Sequence, residues 1–168
     1  AAHDIRETFG RMAMNDYETA ALVAGGHTFG KSHGAASESF KGPDPEASKL
    51  QDQSTGWNSG YKSGKGVDTI SSGIEGAWTQ NPIRWDMGYL DCLYGHEWEL
   101  TKSPAGAHQW TPKKNGQEIK MVPDAHKKGV LHPPMMQTTD ISMKVDPSYG
   151  PITKHFHQNP KEFHDAFA

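Results

Sequence analysis

Disulfides, long apolar runs and a strong charge of either sign are all missing from this chain of 168 residues. Cys92 is its single cysteine, which excludes an internal disulfide and suits a reducing compartment, so a cytoplasmic protein is expected. The longest apolar stretch, Ala20-Ala21-Leu22-Val23-Ala24, is far shorter than the roughly 20 residues a membrane-spanning helix needs. The start, Ala1-Ala2-His3, has no charged segment leading into an apolar one, and no signal peptide is expected. With 17 basic and 20 acidic residues the net charge is -3. That balance offers no reason to expect nucleic acid or an acidic membrane surface as a partner. Hydrophobic residues make up only 34% of the chain, low for a self-sufficient core. The helices are therefore expected to bury against something further: another segment, another domain or a cofactor.

What is present includes 18 glycines and 11 prolines, which point to extensive loops. Asp4-Ile5-Arg6-Glu7 reads as a capping box opening a short helix to about Met14. Asn15-Asp16-Tyr17-Glu18 repeats the signature and opens a second helix through Ala24, with Gly25-Gly26 as its stop. The span 34–71 has no buried periodicity and reads as a long connection. A helix is expected after Asp86, ending near Gly95, and Glu97–Thr101 alternates like a strand. Asn115-Gly116, between Gln109-Trp110-Thr111 and Glu118–Val122, predicts a hairpin turn. Asp146-Pro147 and Asn159-Pro160 each place a capping residue before a proline suited to the first helical position. The last helix, from Pro160, has no stop signal by Ala168, and both ends read as cut from a longer chain.

The most informative run is Gly25-Gly26-His27-Thr28-Phe29-Gly30-Lys31-Ser32-His33-Gly34. It sets a histidine behind an apolar helix and among glycines, which let backbone approach a flat ligand. A neutral imidazole can give a lone pair to iron from one nitrogen while the other holds a proton that needs an acceptor. A structural histidine at a helix end is the plainer reading of the same pattern.

Longer strings carry more. Arg6-Glu7-Thr8-Phe9, Arg11–Asp16, Glu18–Leu22 leading into the glycine-histidine run, Ser72-Gly73-Ile74-Glu75 with Trp78-Thr79, Trp85-Asp86, Glu97–Ala107 and Thr139-Asp140-Ile141-Ser142 together resemble the proximal half of the N-terminal haem domain of bacterial-type catalase-peroxidases. The similarity runs from one end of the chain to the other. It implies a mainly α fold, a partial haem peroxidase-like helical domain over 1–168 with long loops and a small β-hairpin. It also implies haem b as cofactor, hydrogen peroxide and a small organic electron donor as substrates, and a role in the response to oxidative stress. The resemblance further implies an upstream distal segment and a downstream C-terminal domain of the same protein, and a homo-oligomer.

By position, His27 resembles the axial iron ligand, Asp140 the aspartate that accepts a hydrogen bond from its free nitrogen, and Trp78 the tryptophan sharing that carboxylate beside the haem. Met12 matches the methionine of a covalent Met-Tyr-Trp adduct that supports catalase turnover. Ser72 matches a serine near a haem propionate, Lys31, Ser32 and His33 line up on the same side, and Gly26 adjoins the haem face. The family's distal arginine, tryptophan and histidine, and the adduct's tyrosine and tryptophan, have no counterpart in this chain, so the segment alone is expected to be inactive. Plainer readings stand beside these: helix capping for Asp140, core packing for Trp78, helix packing for Met12, solvated loop residues for Lys31 and Ser72. A non-catalytic haem-binding fragment is one alternative. A histidine-rich metal module built on His155-Phe156-His157 or on His27 with His33 is another, although no zinc-type spacing supports it.

Overall fold

The chain's second capping signature folds as its side chains dictate. In the computed structural model, which describes residues 1–34, 36–52, 58–70 and 73–168, Asn15 Oδ1 accepts from the Glu18 amide and Glu18 Oε2 accepts from the Asn15 amide, both at 2.9 Å. Helix α2 (Asp16–Gly26) grows from this box. It runs through the two glycines expected to stop it, and His27 becomes its C-cap. Gly25 is an interface rather than a terminator, because a Cβ there would stand 2.1 Å from the Phe167 ring. The small buried residues Ala20, Ala21 and Ala24 continue the same close-packing face.

Helix α1 (Ala2–Gly10) starts before Asp4, which lies inside its first turn and not at the cap. A carboxylate there still suits the positive end of the helix. The helix also stops earlier than Met14, in a turn over residues 11–13 that puts Ala13 at φ 60°. Met12 therefore sits on an exposed turn instead of packing within a helix.

The stretch after Gly34 is largely irregular, with short 3-10 turns at Glu38–Phe40, Pro45–Ala47, Leu50–Asp52 and Gly66–Asp68. Helix α3 (Gly88–Gly95) follows, then strands β1 (Trp98–Lys102) and β2 (His108–Pro112). These two form the hairpin, with Leu100 opposite Trp110. Its turn lies at Ser103–Ala107, closed by the Ser103 amide on the Ala107 carbonyl at 2.8 Å and by Gly106 at φ 88°. The expected hairpin at Asn115-Gly116 does not form. Asn115 instead closes a local turn on the Gln117 amide. The residues before that turn are already paired with β1, and those after it pair onward, β3 (Val122–Pro123) against β4 (Leu131–His132).

Helices α4 (Thr138–Val145), α5 (Tyr149–Gln158) and α6 (Pro160–Phe167) complete the chain. Pro160 takes the first helical position as expected, while Pro147 precedes the α5 cap, Ser148. Asp146 Oδ1 nevertheless accepts from the Ser148 and Tyr149 amides, both at 3.0 Å, so it serves the helix start from two residues before the cap. The core joins α2, α3, α4, α5 and α6 through Ala20, Leu90, Leu93, Met143, Phe156 and Phe163. Among the described residues no helix is long and apolar enough to cross a membrane.

Arg6 ties the first helix to this frame. Its Nε donates to Asp16 Oδ1 at 2.9 Å and its Nη2 to Asp146 Oδ1 at 2.8 Å. The Arg6 bond holds the Asp16 carboxyl below its usual range. For Asp146, burial pushes the pKa upward, but the Tyr149 and Ser148 amides and Arg6 together outweigh it and the net shift is downward. Both folded pKa values are thus depressed. Their stabilisation is complete above the ordinary carboxylate pKa near 4 and is lost as pH falls through the folded values. Thermal melts of wild type and Arg6→Gln are expected to differ at pH 7 by at most about 1 kcal/mol, since Arg6 is 40% exposed, and to converge near pH 2. A gap that persists in acid would show that the arginine acts through packing alone.

Candidate functional site

The last turn of α2 delivers His27, and the residue after it anchors the chain. Thr28 is fully buried and its hydroxyl donates to the Asp86 carbonyl at 3.0 Å. The imidazole is thereby held over the first turn of α4, where Asp140 lies fully buried.

Four donors converge on that one carboxylate. His27 Nδ1 lies 2.7 Å from Asp140 Oδ1 and the Tyr89 hydroxyl donates to the same oxygen at 2.9 Å. Trp78 Nε1 donates to Oδ2 at 2.9 Å, and the Gln137 amide to Oδ2 at 2.7 Å. Because both oxygens already accept from O–H or N–H groups, the imidazole meets them as a donor, with its proton on Nδ1. Its lone pair is then on Nε2, which has no hydrogen bond among the described residues. Trp78 stacks on the imidazole with ring centroids 4.2 Å apart and planes 13° apart. The capping reading of Asp140 also holds in part. It occupies the third position of α4 and bonds back to the Gln137 amide while serving the side chains.

The outer side of His27 is open. Its side chain is 28% exposed, and a Cβ built on Gly26 would meet nothing within 4 Å. Leu22 and Phe29 expose apolar surface on either side of Gly26 in the sequence. A lone-pair nitrogen beside a bare glycine and exposed apolar side chains fits an axial ligand to a flat, largely apolar macrocycle.

Lys31, Ser32 and His33 lead away from the Asp140 cluster. The Lys31 ammonium pairs with Glu75, whose other oxygen accepts from the Gly34 amide at 2.7 Å. Ser32 exchanges backbone bonds with Gly76. His33 lines a cavity of about 460 Å³ together with Glu75, Asp124, His126 and His132. Burial, and then Lys31, push the His33 pKa downward. Ser72 lies outside the described residues. Met12, 61% exposed, stands apart in a groove of about 390 Å³ with Met14, Glu18, Leu22, Ala166 and Phe167.

The histidine-rich metal module finds no site among the described residues. Among the described residues no group of three or more His, Cys, Asp or Glu side chains is placed to hold a metal ion. His155 is occupied with Glu162 and His157 with Asp91, at 2.8 and 2.9 Å.

Sequence reasoning missed Tyr89 and Gln137. Tyr89 was visible only as an aromatic early in the helix after Asp86, a position that carries no sign of a carboxylate 51 residues away. The Gln137 contact is made by backbone, for which no side-chain signal exists.

The sequence model of the family described as Peroxidase matches residues 1–159. A catalase-peroxidase of Koribacter versatilis is 62% identical over 100% of this chain, and one of Maridesulfovibrio salexigens is 62% identical over 98% of it. A third, from a Caulobacter species, is 60% identical over the whole chain. This chain spans only 22% to 23% of the length of these relatives. A family match over nearly the whole chain, on a mainly helical fold with a small hairpin, shows that the chain belongs to the peroxidase family.

Proposed function

We propose that this chain is the proximal segment of the N-terminal haem domain of a bifunctional catalase-peroxidase, in which His27 would ligate the iron of haem b. The observation that carries this is the buried Asp140 carboxylate, which takes hydrogen bonds from His27 Nδ1 and Trp78 Nε1 together. Haem, when bound, supplies an iron that hydrogen peroxide oxidises and that a second peroxide or a small organic donor reduces. The residues around it do the rest. Asp140 holds the Nδ1 proton, fixes the tautomer and raises the electron-donating power of Nε2. Trp78 fixes the imidazole plane from one side. Gly26, with Leu22 and Phe29, leaves room for the macrocycle.

Lys31, Ser32, His33 and Ser72 are assigned to the propionate side. The Lys31–Glu75 pair means that Lys31 acts there through the loop it stabilises as much as through its charge. Met12 is assigned to the Met-Tyr-Trp adduct. Its exposed thioether leaves the sulfur free to meet rings supplied by the rest of the protein. The whole protein is proposed to act in the cytoplasm, as a homo-oligomer, in the response to oxidative stress.

The test is His27→Ala in the full-length protein. Loss of the ferrous iron–histidine stretching band and of most peroxide consumption is expected. A retained band would assign the ligand to another residue. The isolated segment, lacking the family's distal arginine, tryptophan and histidine, is expected to consume no peroxide.

A further inference from the structure

We propose that Tyr89 is a positioning residue that sets how strongly Asp140 holds His27, by competing with the imidazole for the same carboxylate oxygen. This inference rests on the proposed role of His27 as the iron ligand. Asp140 Oδ1 takes the His27 bond at 2.7 Å and the Tyr89 bond at 2.9 Å, while Trp78 and the Gln137 amide occupy Oδ2. Each donor on an oxygen withdraws negative charge from it and weakens it as an acceptor for the next. Tyr89 is therefore the side chain whose removal acts most directly on the His27 bond. Trp78 reaches that bond only through the other oxygen, and it also stacks on the ring.

The placement of the hydroxyl is enforced. Tyr89 is fully buried, in the first turn of α3. The far end of α3 is gripped by Lys144, four residues beyond Asp140 on α4. Lys144 Nζ donates to the carbonyls of Leu93 at 3.0 Å and His96 at 2.9 Å. A cation there completes the carbonyls and opposes the dipole at a helix C-terminus. Helices α3 and α4 are thus clasped at both ends, one clasp being the Tyr89–Asp140 bond itself. Burial, with the Asp140 charge and hydrogen bond adding to it, pushes the Tyr89 pKa well up, so the hydroxyl remains a donor.

Two changes at position 89 have opposite expected signs in the full-length, haem-loaded protein. Tyr89→Phe removes a donor, leaves more charge on Oδ1 and strengthens the His27 bond. The ferrous iron–histidine stretch is expected to move to higher frequency and the ferric/ferrous midpoint potential to fall. Site-specific 3-fluorotyrosine, a stronger donor of nearly the same shape, is expected to move the stretch to lower frequency and raise the potential. A role in packing alone predicts no such reversal. Unchanged values in both variants, or shifts of the same sign, overturn the proposal. Should Tyr89→Phe fail to fold, the fluorotyrosine protein decides by itself: a shift to lower frequency supports the proposal, and no shift overturns it. If the stretch survives His27→Ala, it is the assignment of the ligand that has failed, and that result is separate from either outcome at Tyr89.

Discussion

Replacing Asp140 with alanine is expected to cost the domain about 3–5 kcal/mol, the range for breaking a buried charged hydrogen-bond network by removing one partner. The reason lies in what is left behind. Trp78 Nε1 and the fully buried Tyr89 hydroxyl would each lose their acceptor, along with His27 Nδ1 and the Gln137 amide that opens α4. Each buried donor left unsatisfied costs roughly 1–3 kcal/mol. His27 is partly exposed and recovers some of its loss by turning to water, whereas Trp78 and Tyr89 have no such route. Asp140→Asn keeps the shape but faces N–H and O–H donors with its own amide hydrogens, and it is expected to lose less than alanine but more than 1 kcal/mol. Denaturant unfolding of the three proteins is the measurement. An alanine variant within about 1 kcal/mol of wild type would mean that the convergence on Asp140 contributes little to stability.

Phe163→Ala is expected to have an effect of similar size, about 3–5 kcal/mol, for an apolar reason. Phe163 is fully buried between Trp85, with ring centroids 5.1 Å apart, and Phe156, at 5.4 Å. Truncation removes a ring's worth of burial and leaves a cavity that the helices on either side can only partly close. It also loosens α6, the helix that sets the Phe167 ring against Gly25 two residues before His27. Phe163→Leu, which preserves most of the volume, is expected to lose under about 1.5 kcal/mol. Equal losses for leucine and alanine in denaturant titrations would show that filling the volume does not rescue the site and that the shape of the ring is what it demands.

Several elements were legible because their signals are local. The Asn15–Glu18 capping box, the proline start of α6 and the strand β1 each depend on residues a few positions apart, although along β1 only Trp98 is buried and Leu100 is exposed. The errors were local signals defeated by distant partners. Gly25-Gly26 carries the ordinary mark of a helix end, but the Phe167 ring occupies the space a side chain at Gly25 would need, and the helix continues through both. Asn115-Gly116 carries the ordinary mark of a hairpin. The strand before it was already taken by β1, through a turn at Ser103–Ala107 that has no Asn-Gly signature.

The sequence by itself determined the helical character and, through long matched strings, the family. The resemblance also implied that His27 and Trp78 share the Asp140 carboxylate, though nothing in the local pattern relates them. Only the tertiary structure decided the geometry of that meeting, that Tyr89 and the Gln137 amide join it on one buried carboxylate, and that Lys31 pairs with Glu75. The physical reason is separation along the chain. Asp140 lies 113 residues from His27, 62 from Trp78 and 51 from Tyr89, and helix and strand periodicities do not relate positions so far apart. Packing α3 and α4 against the end of α2 brings them within hydrogen-bond reach. Their burial then requires that every donor find an oxygen.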